Sequence, residues 1–344
     1  MEHDLNEREK EILKYVINDF ILNATPVASR QIVKDHDLGL SPATIRNTLA
    51  DLEDMGYVTH PHTSAGRIPT DKGYRFYVDS LMDIQQLSKQ EKGGIKKVFE
   101  TVLQPDELFR QTAKILGMIS HQLSVVSAPH LKTSILERIE LISVGSNRLL
   151  VVLTIKSGIV KTITMDIQSE LTQESLTNVT RLLNQRLGGL TLETIRETFV
   201  DRVRDFQYEH PALINVFIQS ADKIFDDAAE REKLHIGGTH FLIEQPEFDK
   251  PENIRTMIEL INNEGVLIQV LDSYEALTED KGVVVSIGGE QGDETLKDYS
   301  VIISTYHAGS VKGSIAIIGP KRMNYSKVVP LVNYISGEVS TILG

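Results

Sequence analysis

The sequence predicts an α+β multidomain protein whose first domain is a winged helix-turn-helix. Three observations predict it. A short helix, a glycine turn and a longer capped helix follow one another before residue 55, a β-prone hairpin comes directly after them, and a strongly β stretch lies further on between runs of helical periodicity.

Asn6 and Glu9 form a capping-box-like pair, and Leu13, Val16 or Ile17, and Phe20 form an apolar stripe. A first helix is therefore expected over Asn6 to Leu22. Pro26-Val27-Ala28-Ser29 breaks the chain, and Ser29 is placed to cap a short helix Arg30 to Asp35. Ile32 and Val33 point inward on it, while Arg30 and Lys34 would face phosphates. Asp37-Leu38-Gly39-Leu40 is the turn.

Ser41-Pro42 opens a third helix, a hydroxyl to cap free amides and a proline where no donor is needed. At 100° per residue, Ile45, Leu49 and Leu52 fall within about 40° of one another, and Ala43, Arg46, Asn47 and Ala50 gather opposite. Small residues let a helix enter the ~12 Å major groove, where Arg can bond guanine bidentately and Asn adenine. Thr44 can meet a phosphate or a thymine methyl. That face has the chemistry of base reading.

Gly56 is placed to end the helix. Tyr57-Val58-Thr59 and Arg67-Ile68 read as hairpin strands around Thr63-Ser64-Ala65-Gly66, which brings His60, His62, Ser64 and Arg67 toward backbone or minor groove. His60-Pro61-His62 lacks a third ligand, so no metal is expected there. Thr70-Asp71 caps a further helix with Tyr74, Tyr77 or Val78, and Leu81 at 3 to 4 spacing, leaving Lys72 and Arg75 more exposed. The DNA-facing set is thus Arg30, Lys34, Ser41, Ala43, Thr44, Arg46, Asn47, His62, Ser64, Arg67, Lys72 and Arg75.

Met82 to Gln104 is polar with Gly93-Gly94 inside and reads as a linker, partly helical at each end, whose Lys89, Lys92, Lys96 and Lys97 form a solvated face. Asp106 to Leu123 reads as a helix, and Ile139 to Ile167 as an antiparallel three-strand meander turning at Ser146-Asn147 and Ser157-Gly158. Helices follow at Gln173 to Leu187, Leu192 to Val203 and Pro211 to Glu232, the last suited to a core or a subunit interface. From Gly238 come THFLI, a helix Pro251 to Asn263, GVLIQVL, VVVSIGG, YSVIISTYHA and GSIAIIGP, read as strands around that helix, then a final helix Ser326 to Leu343. Gly288-Gly289-Glu290-Gln291-Gly292 is a turn that could hold an anion, yet it lacks the P-loop Lys and a full dinucleotide fingerprint.

Composition bounds the rest. A length of 344 residues suits two or three domains. The absence of Cys excludes disulfides, thiol catalysis and thiolate metal sites. No run of 18 apolar residues occurs and Met1-Glu2-His3-Asp4 does not resemble a signal peptide, so the cytoplasm is expected. His235, His240 and His307 are isolated, no HExxH or GxSxG occurs, and neither a metal, another cofactor nor an enzyme is expected. Net charge is −12, the wrong sign for a general polyanion binder. Residues 1–75 carry nine Lys/Arg against twelve Asp/Glu, so DNA binding must come from a local cluster and a bivalent, sequence-matched site.

The run SPATIRNTLADLEDMGYVTHPHTSAGRIPTDKGYRFYVDSLM closely resembles the signature of the HrcA family of bacterial heat-inducible repressors, and the tail GSIAIIGPKRMNYSKVVPLVNYIS resembles that family's end. The resemblance runs the full length. It implies a winged helix-turn-helix, a GAF-like domain and a dimerising α/β domain inserted into it; laid on the elements above, these fall at about 1–82, at 105–134 and 226–344 after the linker 83–104, and at 135–225, where the meander and its following helices are the candidate insertion. It also implies a homodimer that represses chaperone operons at an inverted-repeat operator called CIRCE, and a GroEL-type chaperonin that keeps the repressor foldable. Base contacts by Thr44, Arg46 and Asn47 are read from the residues themselves. Two other classes stay open: a small-molecule-responsive regulator with a ligand in the GAF-like domain, and an enzyme with a DNA-binding appendage.

Overall fold

The capping box at the start of α1 (Glu7–Asn23) forms as its residues require: the Glu9 amide donates to the Asn6 side chain at 3.0 Å and the Asn6 amide to the Glu9 carboxylate at 2.8 Å. The computed structural model describes residues 5–36, 38–61, 66–129, 131, 134–145, 147–156, 158–167, 172–206, 211–225, 233–292, 294–309 and 311–344. In the head, α2 (Ser29–Asp35) and α3 (Pro42–Asp54) follow α1, then β1 (Val58–Thr59) and β2 (Ile68–Pro69), antiparallel with Val58 opposite Pro69. Ser29 is the first residue of α2, not its cap: Ala28 stands at the cap with no side-chain bond. Helix α4 (Asp71–Phe76) is capped by Thr70 and runs into a π turn over Tyr77–Leu81.

The segment expected as a linker holds a helix, α5 (Lys89–Phe99), with a Ser88–Glu91 capping box and both glycines in its interior. Ile95 and Phe99 bury one side of it. Two of its lysines are not simply solvated: Lys96 lies 3.6 Å from Glu338 and Lys92 over the Tyr334 ring, both on the C-terminal helix Tyr325–Leu343.

The body is a five-stranded sheet in the order β7-β3-β10-β9-β8, where β3 is Leu123–Ser127, β7 Leu234–Gly237, β8 Val283–Ile287, β9 Tyr299–Ala308 and β10 Val311–Pro320. All of its pairings are antiparallel. Helix α6 (Pro105–Ser120) precedes β3. The chain leaves the sheet after β3 and returns in its neighbour β7, and between them lies a separate apolar core. That core sits between a meander of β4 (Leu136–Ser143), β5 (Arg148–Ile155) and β6 (Val160–Asp166) and the helices α7 (Gln173–Leu187), α8 (Leu192–Val203) and α9 (Pro211–Phe225).

Two segments read as strands are helical. THFLI forms the short helix Thr239–Ile243, and GVLIQVL lies in the helix Glu264–Lys281. In the second case Leu267, Val270 and Leu271 are buried at 3 to 4 spacing, a helical stripe hidden inside an aliphatic run that suits a strand equally well by type. Strands β3 and β7 were not expected. β3 (LSVVS) is short and buried on both faces, with a serine on each, which leaves no polar alternation to read.

Helix α6 meets β7 through glycines. A Cβ on Gly117 would lie 2.6 Å from the Gly238 backbone, and one on Gly237 would lie 2.3 Å from the Ala113 carbonyl oxygen. Backbone cannot step aside as a side-chain tip can. Gly117→Ala should therefore destabilise the protein by about 1–3 kcal/mol through overpacking, read as a lower midpoint in urea or thermal unfolding.

Candidate nucleic-acid interface

Ser41 caps α3 by accepting from the Thr44 amide at 3.1 Å, and the two hydroxyls lie 2.9 Å apart. Pro42 occupies the first turn. Ile45, Leu49 and Leu52 are buried together with Thr48, whose hydroxyl donates to the Thr44 carbonyl at 3.2 Å. Ala43, Arg46, Asn47 and Ala50 are exposed on the other side, as the periodicity requires. Thr44 is half-buried at the edge.

The cations expected at DNA divide into two groups. Arg30, Lys34 and Arg46 are exposed, and no ion pair ties them to any described residue. The others are engaged by groups of the protein itself. Arg67 pairs with Glu53 at 2.6 Å, and His60 bonds the same carboxylate. The Arg67 backbone also bridges Val27 in both directions, at 2.8 and 2.9 Å. Lys72 donates to the Met55 carbonyl at 3.0 Å and lies over the Tyr57 ring, so it satisfies an orphan acceptor at the end of α3. Arg75 corrects the expectation of an outward side chain. It is half-buried, bonding Glu290 at 2.8 Å, the Val285 carbonyl at 2.6 Å and Asp79 at 3.1 Å. The bond to Glu290 raises its pKa further above the ordinary arginine value, so it is a fixed cation. His62 and Ser64, read as wing contacts, lie outside the described residues.

Sequence reasoning missed the pair that sets the turn before α3. His36 closes α2, stacks on Tyr15 with centroids 3.8 Å apart, and reaches the buried Asp19 at 3.2 Å. The three come from two helices, so nothing in local spacing announces them. It also missed what fills the glycine turn at 288–289. The Asp71 carboxylate accepts from the Gly289 amide at 3.1 Å and pairs with Lys321 at 2.7 Å. The turn does hold an anion, and the anion belongs to the head.

Among the described residues no group of three or more His, Asp or Glu is placed to hold a metal, and no helix is long and apolar enough to cross a membrane. Acidic Asp51 and Asp54 are exposed late on α3, so its N-terminal half is the part suited to approach a polyanion.

Comparison with known proteins agrees over nearly the whole chain. The sequence is 42% identical, over 99% of this chain and 99% of its relative, to the heat-inducible transcription repressor HrcA of Chlorobium phaeobacteroides strain BS1. It is 41% identical to the protein of that name in Prosthecochloris aestuarii strain DSM 271 / SK 413, over 98% and 97%. A crystal structure described as a hypothetical protein at 2.2 Å resolution shares the fold, with a TM-score of 0.64 over 99% of both chains at 24% identity. A family model described as the HrcA protein C-terminal domain matches residues 106–329. The class is that of a transcription repressor and not an enzyme. Within that class, the chain belongs to the HrcA family.

If Glu53 neutralises Arg67, Glu53→Gln should free a cation beside the hairpin. Fluorescence anisotropy on a random duplex should then show tighter binding and a salt slope steeper by about one.

Proposed function

We propose that residues 1–82 form a winged helix-turn-helix that binds duplex DNA, with α3 in the major groove and the β1–β2 hairpin as wing. The observation that carries this reading is the exposed face of Ala43, Arg46 and Asn47 on a helix whose other face is locked into the core. Small side chains allow close approach, and two groups of bidentate capacity stand at the depth of base edges. Arg30, Lys34 and Arg46 supply the outward positive charge.

We further propose that two chains pair through the domain at 135–225, inserted into a GAF-like body at 105–134 and 226–344. The outer face of its meander supports this, since Ile142 and Val160 are exposed and Leu150 and Val152 are half-covered. A twofold pair presents two recognition helices and so fits an inverted repeat of the CIRCE type. Binding there excludes polymerase from chaperone promoters, in the cytoplasm where that DNA lies. The release step follows the family's logic: unfolded clients occupy a GroEL-type chaperonin on heating, the repressor loses its helper, and its active form depopulates.

Arg46→Ala should cost about 1–3 kcal/mol on the operator and relax sequence preference, whereas Lys34→Ala should weaken specific and random duplexes alike and flatten the salt slope by about one. Anisotropy titrations on the chain's own promoter DNA measure both. Equal losses on operator and random duplex for Arg46→Ala would remove the base-reading role. Footprints taken before and after heating, with chaperonin held in excess and then withheld, test the release step. Protection that survives heat without chaperonin would overturn it.

A further inference from the structure

The head is joined to the body by a seat that has the construction of an anion site and is filled by the chain itself. Gly288 has φ +54°, and a Cβ on it would stand 2.2 Å from the Asp71 carboxylate, so only a glycine leaves room for that group. One Asp71 oxygen takes the Gly289 amide at 3.1 Å and the other takes Lys321 at 2.7 Å. One turn of helix further, Arg75 grips Glu290, whose carboxylate also accepts from the Ile287 amide at 2.9 Å. Arg75 reaches the Val285 carbonyl as well, on the sheet's edge strand β8. Next to Lys321, Arg322 bonds Glu247 at 3.0 Å and the Ile21 carbonyl of α1 at 3.2 Å.

These bonds have directions, and so they fix an angle. The apolar contact between Tyr74 and Tyr325, with centroids 6.0 Å apart, resists separation of head and body but restrains rotation little. A carboxylate seated against a backbone amide and an ammonium restrains rotation. The seat is made while Ala43, Arg46 and Asn47 remain exposed, so it does not mask the reading face.

We propose that Asp71 is a positioning residue for operator recognition: seated in the Gly288–Gly289 turn and held by Lys321, it sets the orientation of α3 relative to the body and hence to the partner chain's α3. The proposal rests on the dimeric DNA-binding reading above. Two helices held about 34–36 Å apart read a correctly spaced inverted repeat, and loosening either head lowers the effective concentration for the second half-site. A single half-site needs no such alignment.

The test uses the full-length protein and three duplexes: the operator, one half-site, and the operator with five base pairs inserted between its halves. Asp71→Asn alters the seat from the head and Gly288→Ala from the body. Both should bind the operator about tenfold more weakly, keep half-site affinity, and discriminate less against the insertion. Lys321→Arg should keep the wild-type spacing preference, and Lys321→Met should lose it. Thermal melts establish that each variant is folded. Unchanged operator affinity and spacing preference in both seat variants would overturn the proposal, as would an equal loss on the half-site, the mark of a general folding defect. If the wild-type chain fails to bind any of the three duplexes, the DNA-binding reading falls first and the positioning role with it.

Discussion

Burial of Ile45, Leu49 and Leu52 against α1 and α2 fixes the rotation of α3 about its own axis. Each aliphatic side chain contributes about 1.5–3 kcal/mol on burial, far more than any single surface contact of this helix. Ala43, Arg46 and Asn47 have no choice of direction once that face is committed. Thr48, buried with the aliphatic residues, settles its hydroxyl on the Thr44 carbonyl and so costs little. The His36–Asp19 pair and the Tyr15 stack then hold the chain where it enters the turn before α3.

Charge is distributed on the same logic. The protein carries net −12, and its head does not escape the acidic balance. What distinguishes the head is which cations are left unpaired by described residues. Arg67, Lys72 and Arg75 are used to close the hairpin, the end of α3 and the joint with the body, while Arg30, Lys34 and Arg46 face outward. A surface with few outward cations binds polyanions weakly at random and gains most from directed contacts.

The elements with local signatures were legible in the sequence. Asn6 with Glu9, Ser41 with Pro42 and Thr70 with Asp71 are caps whose partners lie within four residues, and the α3 stripe spans two turns. The β4–β6 meander was legible for the same reason, since its strands are consecutive, short turns separate them, and β6 alternates cleanly. Elements whose partners are distant were not. β3 pairs with strands that lie more than a hundred residues ahead of it, and without them LSVVS is a short run of mixed polarity after a helix. GVLIQVL has strand-forming residues, and tertiary packing on Leu267, Val270 and Leu271 overrides that preference. At the candidate interface, residue type announced the outward cations, but it could not separate them from Arg67 and Arg75, whose acidic partners Glu53 and Glu290 are chosen by the fold.

The joint between head and body uses two kinds of contact with different duties. A single apolar cluster runs from α1–α3 through α4, α5 and α6 to the C-terminal helix and one face of the sheet. The head is therefore not a bead on a flexible tether. The polar bonds around it are partly exposed: Asp71, Lys321, Arg75 and Glu290 each keep roughly a third of their side-chain surface. Pairs so exposed are worth at most about 1 kcal/mol each, too little to hold a domain in place. Their directionality is what the apolar cluster lacks. Arg75 adds a further effect, because its bond to the Val285 carbonyl occupies an outward acceptor of the edge strand β8, where another strand would otherwise pair. Cohesion comes from the shared core, and the angle between head and sheet comes from the polar bonds laid around it.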